Sequence, residues 1–315
     1  MLEGALPPII PRGLRPVAFG RQVNHSNFMR TEIVSAQNPR IKNLLLLQEK
    51  SRARREQGLF VVEGRRELEH CLEGGYKVKT LFYCPEITDA SSLDSAEIYF
   101  SGQSPKNQIP APSFLRHPSL AEASVIEIPE TLYRKVAYRE GTEGVIAEVE
   151  YRSLKLSDLH LPERPLIMVL ESVEKPGNLG AVLRSADAAG AHAVLICDPL
   201  TDIFNPNLIR ASIGAVFTVP TVACTSEEAI AFLQARGIQI LTAQLQDSSL
   251  YYDTDMRRPT ALVMGTEATG LTERWRQVAS AHIRIPMLGA LDSLNVSVSA
   301  AILLFEAVRQ RQSQV

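Results

Sequence analysis

Hydrophobic positions divide this chain into a regular second half and a less regular first half. In the second half, unbroken apolar runs at residues 166–170 and 261–264 predict strands buried on both faces, since a strand with one wet face would alternate. Further strands are predicted over 193–197, 217–222, 239–242 and 283–285. Helical spacing predicts helices over 180–189, 227–236, 272–278 and 296–311, the last with Leu303, Leu304, Phe305 and Ala307 on its apolar side. Strand and helix alternate, so the expected architecture is α/β, a mostly parallel sheet with helices on both faces, over residues 165–315. Ahead of it, residues 31–150 predict a small α/β domain. Its elements are a helix containing 44–47, a strand at 59–62, a helix at 66–72, a strand at 78–83 and a closing strand at 144–149. Residues 101–120 are rich in Ser, Pro, Gly and Asn and predict a long loop. Residues 151–164 alternate polar residues with Leu and are expected as an interdomain linker. Residues 1–30 have little periodicity and are expected as a disordered or strapping extension; Met29 directly precedes the first patterned segment, so a biological start there stays open.

Composition narrows the class. A chain of 315 residues can hold two cores, and 45% hydrophobic with 22% charged residues is ordinary for a globular protein. No apolar stretch approaches the roughly 18 residues of a membrane span. The start lacks the basic-then-apolar order of a secretory signal. Cys71, Cys84, Cys197 and Cys224 are scattered, without metal-ligand spacing, which favours free thiols in a cytoplasmic protein and no metal. The net charge of −2 is not that of a strongly basic nucleic-acid binder. Positive charge is nevertheless concentrated: Arg40, Lys42, Arg52, Arg54 and Arg55 lie in a segment opposed only by Glu49, Glu56 and Glu63. Such a segment can neutralise phosphates, or it can be a solvated helix face with internal ion pairs.

Three segments carry candidate chemistry. Each places a small-residue loop and a polar side chain after a predicted strand, where ligands bind in open α/β sheets. The first is Pro176-Gly177-Asn178-Leu179-Gly180, followed by Arg184-Ser185-Ala186. The second is Gly265-Thr266-Glu267. The third is Ile285-Pro286-Met287, then Ser293-Leu294-Asn295-Val296-Ser297. Taken alone, Ser293 and Asn295 are ordinary helix N-caps and Arg184 is an ordinary surface arginine. The first loop has neither the spacing nor the lysine of a phosphate loop and no dinucleotide fingerprint, which argues against a nucleotide-dependent enzyme. Three such loops in order point to one composite site.

These motifs, in this order, resemble those of the SpoU/TrmH branch of the SPOUT RNA methyltransferases. The resemblance covers about residues 165–311. It implies a deep trefoil knot, a homodimer, S-adenosylmethionine as methyl donor and an RNA ribose 2′-hydroxyl as acceptor. It also implies roles: Gly265, Ile285 and Leu294 hold the donor by backbone, with Thr242 beside them and Met287 and Leu288 lining the adenine pocket. Arg184 acts on the 2′-hydroxyl, in some members across the dimer interface, with Asn178, Glu267, Ser293 and Asn295 holding the reactants in line. Asn38-Pro39-Arg40-Ile41-Lys42 and Phe60-Val61-Val62-Glu63-Gly64 resemble the substrate-binding domain that many members carry, although Glu63-Gly64 on its own can simply end a strand. That second resemblance favours ribosomal RNA over transfer RNA. A transfer RNA methyltransferase, or a non-catalytic RNA-binding or assembly factor on the same fold, is the alternative.

Overall fold

The computed structural model describes residues 31–91, 120, 122–138, 143–266, 269–290 and 293–312. The expected 1–30 extension and all but the end of the expected 101–120 loop lie outside the described residues. In the first part the chain runs β1 (Thr31–Glu32), α1 (Pro39–Glu49), α2 (Ser51–Gln57), β2 (Leu59–Glu63), α3 (Arg65–Glu73) and β3 (Val78–Tyr83). It continues through α4 (Pro85–Ser91), β4 (Ser124–Glu127), α5 (Glu130–Val136) and β5 (Val145–Glu150). The strands form a sheet in the order β1-β4-β3-β5-β2, parallel at the β1 end and antiparallel where β5 meets β3 and β2. The Asn38-Pro39 motif has a local physical role. The Asn38 side chain accepts a hydrogen bond from the Arg40 amide at 2.9 Å, and Pro39 occupies the first helical turn, where no donor is lost.

The second part runs β6 (Leu166–Glu171), α6 (Pro176–Ala188), β7 (Ala193–Cys197), α7 (Pro206–Ser212), α8 (Ala215–Thr218), β8 (Thr221–Cys224) and α9 (Ser226–Ala235). After these come β9 (Gln239–Ala243), β10 (Ser249–Leu250), β11 (Thr260–Met264), α10 (Glu273–Val278), β12 (Ala281–Arg284) and α11 (Val296–Gln312). The strand order is β10-β12-β9-β11-β6-β7-β8, parallel throughout. β11 lies inside β9 and β12 outside it, after which α11 returns to pack on α6, β6 and β11. The expected trefoil depends on that crossing. The end of α11 is tied down by Arg311. Its guanidinium donates to the carbonyls of Arg164, Pro165, Met256 and Arg258, at 2.9–3.0 Å, next to the starts of β6 and β11.

One core cluster runs through both sheets. Phe60 of β2 stacks on Phe204 at 4.2 Å between ring centroids, and Tyr76, Tyr151 and Phe217 pack around the pair. This explains a departure from the expected strand at 217–222. Phe217 sits instead in the short α8, after Gly214 in left-handed conformation (φ 79°), and the strand begins only after Pro220. The last strand runs Ala281–Arg284 rather than 283–285, because the chain leaves the sheet before Pro286. Residues 151–164, expected as a linker, pack closely. Tyr151 joins the aromatic cluster, Leu156–Asp158 form a 3-10 turn, Leu159 is buried, and Leu154, Leu156 and Leu161 cover the core beneath β6 and β7. α7 was not expected, although Asn205-Pro206 begins it with the same cap as α1, the Asn205 side chain accepting from the Asn207 amide at 2.9 Å. Gly180 on α6 lets α7 approach, since a Cβ there would meet Ala211 and the Ser212 amide at 2.5–2.8 Å.

Candidate functional site

β9, β11 and β12 are parallel neighbours, so their carboxyl ends open on one edge of the sheet. The loops leaving them, with the start of α11, enclose a cleft of about 450 Å³. That lies within the roughly 300–1,000 Å³ usual for small-molecule sites. Met264, Leu271, Ile283 and Leu303 give it an apolar floor, and Gly265, Ile285, Met287, Ser293 and Leu294 complete its walls. The Gly265 loop is held closed by paired backbone hydrogen bonds between Thr266 and Gly270, 3.0 and 3.3 Å long. The Thr266 hydroxyl also accepts from the Thr269 amide at 3.0 Å. A Cβ at Gly265 would collide with the Gly270 carbonyl, so this turn requires glycine.

Two polar side chains at the cleft have buried atoms without a hydrogen-bond partner among the described residues: Gln244 Oε1, an acceptor, and Arg276 Nε, a donor. Leaving such groups unpaired costs about 1–3 kcal/mol each, so the lining suits a ligand that presents both polarities to an otherwise apolar pocket. An adenine nucleoside bearing an amino-acid tail is such a ligand, and the cleft fits S-adenosylmethionine in size and chemistry. Neither Gln244 nor Arg276 was singled out from the sequence. Gln244 directly follows a strand at the ligand-binding edge, a legible signal, whereas Arg276 is one polar residue among several in α10.

The first and third motifs meet. Asn295 Nδ2 donates to Asn178 Oδ1 at 3.2 Å, while Asn295 Oδ1 accepts from the Ser297 amide at 2.9 Å and the Ser297 hydroxyl at 2.6 Å. Asn295 is therefore both a helix cap and a bridge to α6. Arg184, on α6, is exposed and outside the cleft lining. Glu267 lies outside the described residues. Thr242 departs from the expected donor contact: it is fully buried in β9, 2.6 Å from His282 Nδ1, and does not line the cleft. The alternation of a strand turns its side chain into the sheet layer instead. Leu288, expected near an adenine, is 97% exposed and outside the cleft lining.

The basic segment also sorts by burial. Arg40, Lys42, Arg52 and Arg55 are exposed. Arg54 is not available to phosphate. Its side chain is 2% exposed, its Nε lies 2.7 Å from Asp202 in the second part of the chain, and it donates to the carbonyls of Leu47 and Gln48 at the end of α1. A buried pair of this kind costs about 3–5 kcal/mol to break from one side. Arg54 is thus a structural tie.

Comparison with known proteins agrees with this geometry. Residues 165–305 match the SpoU rRNA Methylase family and residues 38–147 match the MRM3-like substrate binding domain. A 23S rRNA (guanosine-2′-O-)-methyltransferase, RlmB, from Ralstonia nicotianae is 36% identical over 71% of this chain and 90% of that protein. A 23S rRNA (uridine(2479)-2′-O)-methyltransferase from Streptomyces viridochromogenes is 30% identical over 89% of this chain and 93% of its own length. The crystal structure of an AdoMet-bound rRNA methyltransferase from Sinorhizobium meliloti superposes with a TM-score of 0.74 at 30% identity, covering 91% of this chain and 99% of that one. With the Asn178–Asn295 bridge and the Gly265 turn in place, and relatives matching nearly end to end, the chain belongs to the SpoU rRNA methylase family.

Proposed function

We propose that this chain is a methyltransferase that moves the methyl group of S-adenosylmethionine to a ribose 2′-hydroxyl of ribosomal RNA in the cytoplasm. The observation that carries it is the Asn178–Asn295 hydrogen bond, which joins the first motif to the third next to Leu294 and Val296 of the cleft lining. The relatives, both named as 23S rRNA 2′-O-methyltransferases, support the same reaction and substrate class. When bound, S-adenosylmethionine supplies an electrophilic methyl on a sulfonium. The chain's own part is to hold the reactants in line. Gly265, Ile285, Met287 and Leu294 form walls fixed by a tight turn and by strand ends, Ser293 adds a polar side chain to the lining, and Asn295 ties the start of α11 to α6 beside it. Positioning of this kind supplies several kcal/mol of barrier lowering.

The part of Arg184 is to clamp the phosphate beside the acceptor ribose with its planar guanidinium, while that phosphate or a water takes the hydroxyl proton. Because Arg184 lies outside its own cleft, it serves the cleft of a second copy. Val298, Ile302 and Phe305 support that dimer: they form an apolar stripe on one side of α11, with Val298 and Phe305 47% and 48% exposed. Arg40, Lys42, Arg52 and Arg55 neutralise RNA phosphates from the first part of the chain.

The test is transfer of labelled methyl from S-adenosylmethionine to unmodified ribosomal and transfer RNA, beside Arg184→Ala. The expected result is 2′-O-methylribose in ribosomal RNA, reduced at least about 100-fold in the variant. Label confined to transfer RNA would overturn the substrate. Donor binding without label in ribosomal RNA or its precursor particles would replace the enzyme with a binding factor.

A further inference from the structure

Two arginines elsewhere in this fold that are buried or half-buried, Arg54 and Arg311, are satisfied. Arg54 reaches a carboxylate and two carbonyls, and Arg311 reaches four carbonyls. Arg276 is different. It is half-buried on α10 and lines the cleft, yet no carboxylate or carbonyl among the described residues meets its guanidinium, and its Nε is closed off from solvent. Space is left beside it by Gly270, where even an added Cβ would stand 3.9 Å from Arg276 Nη2. The other arginine of the lining, Arg284, already donates to the Ser248 hydroxyl at 3.4 Å. A planar cation with an unpaired, water-shielded N–H selects an anion able to take two parallel hydrogen bonds, and a carboxylate has that shape.

We propose that Arg276 binds the methionine carboxylate of the donor and makes the cleft specific for adenosines that carry an amino-acid tail. The assignment rests on the cleft being the donor site. The carboxylate is the one anionic group of S-adenosylmethionine, and the product S-adenosylhomocysteine keeps it. 5′-Methylthioadenosine has the same nucleoside and a thioether but no carboxylate. Arg276 therefore distinguishes the first two from the third, while the apolar floor treats them alike.

Calorimetric titration of the full chain with S-adenosylhomocysteine and 5′-methylthioadenosine tests this without turnover. The wild type should prefer S-adenosylhomocysteine by about 10- to 100-fold, the range expected of a charged hydrogen-bonded contact. Arg276→Gln should bring S-adenosylhomocysteine down to about the affinity of 5′-methylthioadenosine and leave the latter within about twofold, which also shows the variant to be folded. Arg276→Lys should fall between, keeping the charge without the fork. Equal wild-type affinities, or an equal loss of both ligands in Arg276→Gln, would overturn the role of Arg276 and leave the donor cleft standing. Unchanged nucleoside binding with weakened ribosomal RNA binding would assign the guanidinium to a phosphate instead. Failure of the wild type to bind either nucleoside would overturn the donor-cleft reading and the inference with it.

Discussion

His192 precedes β7, and its Nδ1 accepts a hydrogen bond from the amide of Leu166 at 3.0 Å, where β6 begins. Burial holds its pKa below the ordinary histidine value, and the nearby Arg311 guanidinium acts in the same direction. The folded state therefore prefers neutral His192, whereas the unfolded chain takes a proton as pH falls through about 6.5. The stability this contributes is present above that pH and is lost below it, because the unfolded state then binds more protons. Melting temperature should accordingly fall between pH 7 and 5 more steeply in the wild type than in His192→Asn, whose amide oxygen can accept from Leu166 without titrating. Parallel pH profiles for the two proteins would remove His192 from the acid response. At this scale the sequence shows residue type but not environment. Arg52, Arg54 and Arg55 look equivalent along the chain, yet only Arg54 is buried among the three, because its partner Asp202 is 148 positions away. Arg276 was hidden for the same reason: its lack of a partner is a property of the cleft.

Among the elements, the Gly265 turn connects a legible pattern to the site most directly. The strand before it, β11, was readable because every side chain is buried and the run is unbroken. The turn after it was readable because glycine follows a strand in a small-residue loop. Gly265→Ala should force its methyl against the Gly270 carbonyl and the Leu271 amide, costing about 1–3 kcal/mol and weakening S-adenosylhomocysteine binding by at least about tenfold. Wild-type affinity in that variant would mean that the turn does not shape the donor pocket. Short elements were less legible. The run at 217–222 has strand-like composition, but Phe217 gains more by entering the aromatic cluster with Phe60 and Phe204 than by extending β8. Tertiary packing outweighs propensity there.

Over the whole molecule, the unbroken apolar runs made the mostly parallel sheet of the second part legible, whereas β1, β4 and β10, short strands at or near the sheet edges, were not expected. The shared core between the two sheets was not legible either, because Phe60 and Phe204 lie far apart in sequence and meet only in the fold. The α11 stripe bears on the assembly. In sedimentation the wild type should travel at twice the chain mass and Phe305→Asp at the single mass. The variant should keep its affinity for S-adenosylhomocysteine and lose methyl transfer, since Arg184 then reaches no second cleft. A monomeric, active wild type would overturn the dimer.

Arg311 has a consequence for synthesis. It follows every strand among the described residues, yet it ties residues 164, 165, 256 and 258, which leave the ribosome well before it. The end of the sheet where β6 and β11 start lacks these four hydrogen bonds while translation proceeds from residue 258 to residue 311. The nascent enzyme must therefore remain incomplete, and exposed to chaperones and proteases, until α11 has been made and laid in place.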